Sequence, residues 1–149
     1  MKKILLLISL MVCIAVKAQD KVLRIPYSSG KSIYGIISEP TSNQKKHGID
    51  IISHGFNGSH QFGKDYFRTL NDLGYAVYTF DFPCGSVHSR SGNDTMNMSV
   101  SDEKEALKEI VAYFQKQKDV DKSRIVLIGE SQGGLVSALA AAELKKQVS

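Results

Sequence analysis

Gly129-Glu130-Ser131-Gln132-Gly133 sits between an apolar run, Ile125 to Ile128, and an alanine-rich run. A G-x-S-x-G pentapeptide between a strand and a helix is the signature of a nucleophile elbow. The turn is so sharp that the serine takes strained backbone angles and its hydroxyl stands clear of the sheet. Gly129 and Gly133 suit such a turn, because side chains two residues either side of the serine would strike the adjoining strand and helix. Gly134 and Ala138 let the helix pack closely. The chemistry implied is attack by the Ser131 hydroxyl on a carbonyl. It builds an oxyanion that two main-chain N–H groups must hold, each contributing about 3–4 kcal/mol. The residue after the serine gives one, which points to Gln132. A loop after an earlier strand gives the other. His54-Gly55-Phe56-Asn57-Gly58 follows directly on the apolar run Ile49–Ser53, so Phe56 N–H is the second donor, and Gly55 permits the close approach.

These residues need a sheet to carry them. Val22–Ile25 and Ile33–Ser38 have the pattern of a hairpin across Ser28-Ser29-Gly30-Lys31, and 40–48 is a polar loop. Ile49–Ser53, Ala76–Phe80 and Ile125–Gly129 are continuous apolar runs, as expected of strands covered on both faces. Between them the spacing predicts a helix over 63–73, with Tyr66, Phe67, Leu70 and Leu73 on one face and Gly74 as its stop. After a Gly/Ser/Asn-rich loop over 81–99, a second helix is capped by Ser101, has Asp102 and Glu103 in its positive first turn, and buries Leu107, Ile110, Val111 and Phe114. Asp119–Arg124 is a turn, and a third helix runs from Gln132 to Lys146. Two strands followed by three strand–helix units predict an α/β fold, a mostly parallel sheet with helices on both faces and right-handed crossovers.

The first 18 of the 149 residues stand apart. Met1-Lys2-Lys3 is a positive start, Ile4–Val16 an apolar stretch, and Val16-Lys17-Ala18 ends on the small residue that a signal peptidase needs. The stretch is too short for a stable membrane anchor. The expectation is an exported protein, periplasmic or secreted, with Gln19 first in the mature chain and one domain over 19–149. Setting aside Lys2, Lys3 and Lys17 lowers Lys+Arg from 19 to 16 against 15 acidic residues, so the net charge falls from +4 to +1. There is no basic stripe with interleaved aromatics, which excludes nucleic acid as the expected partner. Cys84 is the one cysteine of the mature chain, so no intramolecular disulfide is available.

Strand, His54-Gly55-Phe56-Asn57-Gly58, helix, strand, Asp81-Phe82-Pro83-Cys84-Gly85-Ser86, helix, strand and Gly129-Glu130-Ser131-Gln132-Gly133-Gly134 together resemble the N-terminal half of an α/β-hydrolase. The likeness is to serine esterases of the cinnamoyl/feruloyl kind and to the serine aminopeptidase S33-like hydrolases, and covers about Ile33 to Leu144. It implies an ester hydrolase in which Ser131 is the nucleophile, with Phe56 and Gln132 as the oxyanion donors. It further implies that His54 orders the oxyanion loop and that Asp81 holds the loop after its strand. A small-molecule ester is the implied partner, and no cofactor is implied. In that family the triad acid and histidine follow the elbow, at positions that fall beyond Ser149. The expectation is therefore of a fold cut short after the elbow helix and inactive by itself, since a serine hydroxyl is a weak nucleophile without a base. A non-catalytic remnant of such an enzyme is the alternative, with the elbow strand left as an exposed sheet edge.

The remaining candidates have plainer readings. His47, His54, His60 and His88 all precede the elbow, lack metal-ligand spacing, and fit loop histidines better than a general base. Cys84 reads as a small packing residue. Asn57-Gly58-Ser59, Asn93-Asp94-Thr95 and Asn97-Met98-Ser99 match the glycosylation acceptor pattern, which is weak on its own.

Overall fold

The computed structural model describes residues 20–27, 30–40 and 44–149. The segment read as a signal peptide lies outside the described residues. Strands β1 (Lys21–Tyr27) and β2 (Lys31–Ser38) form the expected antiparallel hairpin. They are followed by β3 (His47–Ser53), α1 (Phe67–Asp72), β4 (Tyr75–Phe80), α2 (Val100–Gln115), β5 (Val120–Gly129) and α3 (Gln132–Leu144). The sheet order is β1-β2-β4-β3-β5. Pairs β3–β4 and β3–β5 are parallel while β1–β2 and β2–β4 are antiparallel, so β2 alone runs against the other four strands.

The alternation of side chains along each strand sorts the core into two layers. On one face Ile49, Ile51, Ala76 and Tyr78 pack with Leu107, Ile110, Val136 and Ala140 of α2 and α3. On the other, Ile52 and Val77 pack with Phe67 and Leu70 of α1 and with Tyr34. Helix α2 buries the four residues its periodicity marked, Leu107, Ile110, Val111 and Phe114.

Four local expectations need correction. Strand β3 starts at His47, inside the stretch read as loop. The helix over 63–73 is a 3-10 turn, Phe62–Tyr66, leading into the short α1. At three residues per turn the face rotates, so Tyr66 and Leu73 end 41% and 66% exposed although Phe67 is buried. The cap of α2 is Ser99 and not Ser101: Ser99 Oγ accepts the Asp102 N–H at 3.0 Å and donates to Asp102 Oδ2 at 2.7 Å. Residues 120–124 belong to β5, across an irregularity between the His47 and Ile49 rungs where Asp121 Oδ1 accepts from Ser123 N–H and Oγ.

Strands β3 and β4 are covered on both faces, but β5 is the edge strand, and Val126, Leu127 and Ile128 are half-buried. Its outer side has one rung of parallel pairing from Ser149, whose N–H donates to Ile125 O and whose carbonyl accepts from Leu127 N–H, both at 2.9 Å.

Candidate active site

The site lies where the parallel strands end. Pairing of Ser53 with Gly129 sets β3 and β5 in register, and Glu130 N–H donates to Ser53 O at 3.2 Å just beyond. The chain then turns at Ser131, with φ 51° and ψ −120°, and α3 begins at the next residue. A non-glycine residue in this region costs about 1–3 kcal/mol and persists only where its surroundings over-determine it. Here they do. A methyl on Gly129 would collide with the main chain of Gly133 and Gly134, and one on Gly133 with the main chain of Ser53 and His54. With neither present, the turn closes onto the sheet, and Leu135 N–H donates to Ser131 O at 3.1 Å. Ser131 is exposed, and among the described residues no hydrogen bond engages its hydroxyl.

Two residues past Ser53 on β3, Gly55 stands opposite Ser131. A methyl on Gly55 would lie 3.3 Å from Ser131 Cβ and 3.9 Å from its Oγ. Gly58 N–H then donates to Gly55 O at 3.0 Å, closing a β-turn with Phe56 and Asn57 at its centre and Asn57 at φ 54°. That bond uses the Gly58 amide and leaves Phe56 N–H without an acceptor among the described residues. Gln132 N–H, at the first position of α3, has no intrahelical acceptor either. Phe56 is 68% exposed. The structure thus brings the loop of Phe56 against the turn of Ser131 and Gln132.

His54 is buried and used on both sides of its ring. Its Nδ1 lies 2.7 Å from Gly55 O, and its Nε2 accepts the Phe82 N–H at 3.2 Å. Those partners require a proton on Nδ1 and none on Nε2. Burial accordingly pushes its pKa down. His54 ties the turn carrying Phe56 to the loop after β4, and both its nitrogens are spoken for.

Asp81, fully buried at the end of β4, accepts from His60 N–H at 2.7 Å and from Arg90 N–H at 3.0 Å, and its Oδ1 is 2.8 Å from His60 Nδ1. It holds the following loop, as the sequence implied. It also holds His60, which is therefore not the surface loop residue expected: it is 4% exposed, with Tyr34 edge-on to its ring at 5.1 Å. In this pair Asp81 follows β4 and His60 lies in the loop after β3, with Tyr34 of β2 against its ring. Strand β3 lies between β4 and β5, so Asp81, which holds His60, is two inter-strand spacings or about 10 Å from the end of β5. His47 is buried beside Glu39 and Asp119 at the opposite end of β3, and His88 is exposed. Cys84 is half-buried at φ 60°, its N–H held by Gly92 O. Among the described residues no cluster of three or more His, Cys, Asp or Glu is arranged to hold a metal ion.

One group at the site went unrecognised in the sequence. Glu103, in the first turn of α2, is 1% exposed, and its Oε2 accepts from Gln132 Nε2 at 2.6 Å. Burial raises its pKa, and the Gln132 bond partly opposes that. The signal was present: Glu103 lies on the same helical stripe as Leu107, Ile110, Val111 and Phe114, a charge among apolar residues.

A family model described as the α/β hydrolase fold matches residues 51–149, from the end of β3 through α3 to the last residue. The chain belongs to the α/β-hydrolase fold family. Among solved structures, this α/β-hydrolase chain is similar to DcsB, determined in complex with its substrate analogue, at 28% identity and a TM-score of 0.74 over 87% of this chain and 43% of that one. It is similar to Est1E from Butyrivibrio proteoclasticus with ferulic acid bound, at 27% identity and a TM-score of 0.73 over 85% of this chain and 49% of that one. The Pyrococcus furiosus esterase Pf2001 matches at 25% identity and a TM-score of 0.67, over 87% of this chain and 49% of that one. No match is found among curated protein sequences. The α/β-hydrolase chain described here spans less than half the length of these three relatives.

Proposed function

We propose that this chain carries the nucleophile half of an exported carboxylic ester hydrolase, working through an acyl-enzyme on Ser131. The observation that carries the proposal is the strained, exposed Ser131 opposite Gly55, with two unclaimed main-chain amides, Phe56 and Gln132, beside it. In this reading the turn is a nucleophile elbow. Ser131 Oγ attacks the ester carbonyl, and the Phe56 and Gln132 amides stabilise the tetrahedral oxyanion. The alcohol leaves, and water hydrolyses the acyl-serine. No cofactor takes part. A small ester is the substrate class, and the likeness to Est1E, solved with ferulic acid, favours an aromatic acyl group. Export rests on the charged and apolar leader over 1–18.

A second reading is favoured by a specific observation: the two buried histidines of the loop after β3, His54 and His60, are already engaged by other groups. His54 uses both ring nitrogens and His60 is held by Asp81. In this reading the described residues supply no general base for Ser131 and are catalytically silent by themselves. Hydrolysis of p-nitrophenyl acetate tests both readings. The 149-residue chain gives no turnover that depends on Ser131, whereas a form that also carries a late Asp and His hydrolyses the ester and loses activity in Ser131→Ala. Turnover unaffected by Ser131→Ala in that form overturns the acyl-enzyme proposal. Ser131-dependent turnover in the 149-residue chain overturns the silent one.

A further inference from the structure

We propose that Glu103 is a positioning residue: its carboxylate holds the side-chain amide of Gln132 and thereby fixes the Gln132 main-chain N–H beside Ser131. The inference rests on the reading of Gln132 as an oxyanion donor, and on three features of Glu103.

The first is placement. A carboxylate on the apolar stripe of α2, 1% exposed, carries a desolvation cost that a leucine there would not. A role at the helix terminus does not account for it, because Ser99 and Asp102 already form a reciprocal cap on the exposed side. The second is proximity. A methyl on Gly85 would lie 2.7 Å from Phe82 Cβ and 3.1 Å from Glu103 Oε1, so the loop after β4 passes against the carboxylate at a residue that its own turn keeps free of a side chain. The third is the partner. Oε2 accepts from Gln132 Nε2 at 2.6 Å, the short end of a charge-assisted bond, and the same amide lies 3.8 Å from Met98 Sδ. Gln132 is the residue immediately after the strained Ser131. Glycine contacts at Gly129 and Gly133 fix that turn from the sheet side. The bond from Glu103 fixes it from the α2 side, and keeps the long Gln132 side chain from swinging across the mouth of the site.

Burial raises the pKa of the Glu103 carboxyl, and the Gln132 bond opposes part of that rise. Protonation would replace a charged acceptor with a weaker neutral one. The Gln132 side-chain and main-chain amides should therefore report the same titration.

Two measurements test this. In 15N-labelled protein, the Gln132 main-chain and side-chain amide resonances are followed by NMR between pH 4 and 8. Both are expected to shift together, with one midpoint above the ordinary Glu value of about 4.3, and Glu103→Gln is expected to abolish the shift. A main-chain amide that stays still while the side-chain amide titrates overturns the proposal. In ester hydrolysis by the form that also carries a late Asp and His, Glu103→Ala is expected to lower kcat about tenfold or more with KM little changed, and Glu103→Gln, which keeps an acceptor, to restore most of it. Loss of stability in Glu103→Ala without loss of kcat would show a packing role and overturn the proposal. Absence of any Ser131-dependent turnover in that form would sink the hydrolase reading, while the NMR experiment would still decide whether Glu103 governs Gln132.

Discussion

Gly55 and Ser131 face one another across the ends of two parallel strands, so close that a methyl on Gly55 would sit 3.3 Å from Ser131 Cβ. Each lies two residues past the last paired rung, Ser53 with Gly129. The register of the sheet therefore brings the loop holding Phe56 to the turn holding Ser131. Gly55→Ala places a methyl in the gap where a carbonyl would sit, while the fold needs to give by only tenths of an ångström. The expected outcome is a loss of under about 1 kcal/mol in denaturant unfolding, together with a tenfold or larger fall in kcat for ester hydrolysis. Equal activity in the two proteins would remove Gly55 from the site.

The strain at Ser131 can be weighed directly. Alanine at 131 retains the Cβ that makes φ 51° unfavourable, and glycine does not. Ser131→Gly should be more stable than Ser131→Ala by about 1 kcal/mol, the relief of strain less the extra chain entropy of glycine. Both variants should be inactive. Urea unfolding of the pair measures the difference, and a less stable glycine variant would mean that the turn is not strained.

His54 joins two loops through two hydrogen bonds while remaining neutral. Removing it strands the Phe82 N–H, so His54→Ala should cost about 2–4 kcal/mol. Its pH signature follows from the downward shift in its pKa. Below the unfolded value near 6.5 the unfolded chain binds a proton that the native state refuses, so this contribution to stability is lost as pH falls through that range. The stability difference between wild type and His54→Ala should narrow from pH 7.5 to pH 5.5. A constant difference would count against a neutral, doubly bonded His54.

Asp50 acts in the opposite direction. It is buried in β3 with Oδ2 unpartnered, and desolvation raises its pKa from 3.8 to about 6 despite the attraction of Arg124. Between those values the unfolded chain has lost a proton that the native state keeps, so stability falls as pH rises from about 4 to 6 and is level above. Asp50→Asn should be more stable than wild type at pH 8 by about 2–3 kcal/mol and lose that advantage at pH 4. Chemical denaturation at the two pH values checks this, and no gain at pH 8 would contradict it.

The strands and the turn at Ser131 were legible because each rests on a local pattern. Apolar runs marked β3 and β4, and the two glycines marked the only backbone that could close around Ser131. What escaped depends on partners distant in sequence. His60 reads as a loop histidine until Asp81, 21 residues on, is folded against it. Glu103 looked like an ordinary first-turn acid because Gln132, the donor to its carboxylate, comes 29 residues later. The cap at Ser99 was within reach: three residues after Ser99 stands the carboxylate of Asp102, whereas three after Ser101 stands Lys104, which cannot accept a hydrogen bond. The exposure of Tyr66 and Leu73 follows from a 3-10 turn replacing the first helical turn, a change of period that the apolar spacing does not announce.

The most direct test of the account is a crystal structure of the ester-hydrolysing form after reaction with a fluorophosphonate. The account predicts phosphorus bonded to Ser131 Oγ and one phosphonyl oxygen within about 2.7–3.1 Å of both the Phe56 and Gln132 main-chain nitrogens. A phosphonyl oxygen directed to solvent, with either amide turned away, would contradict it.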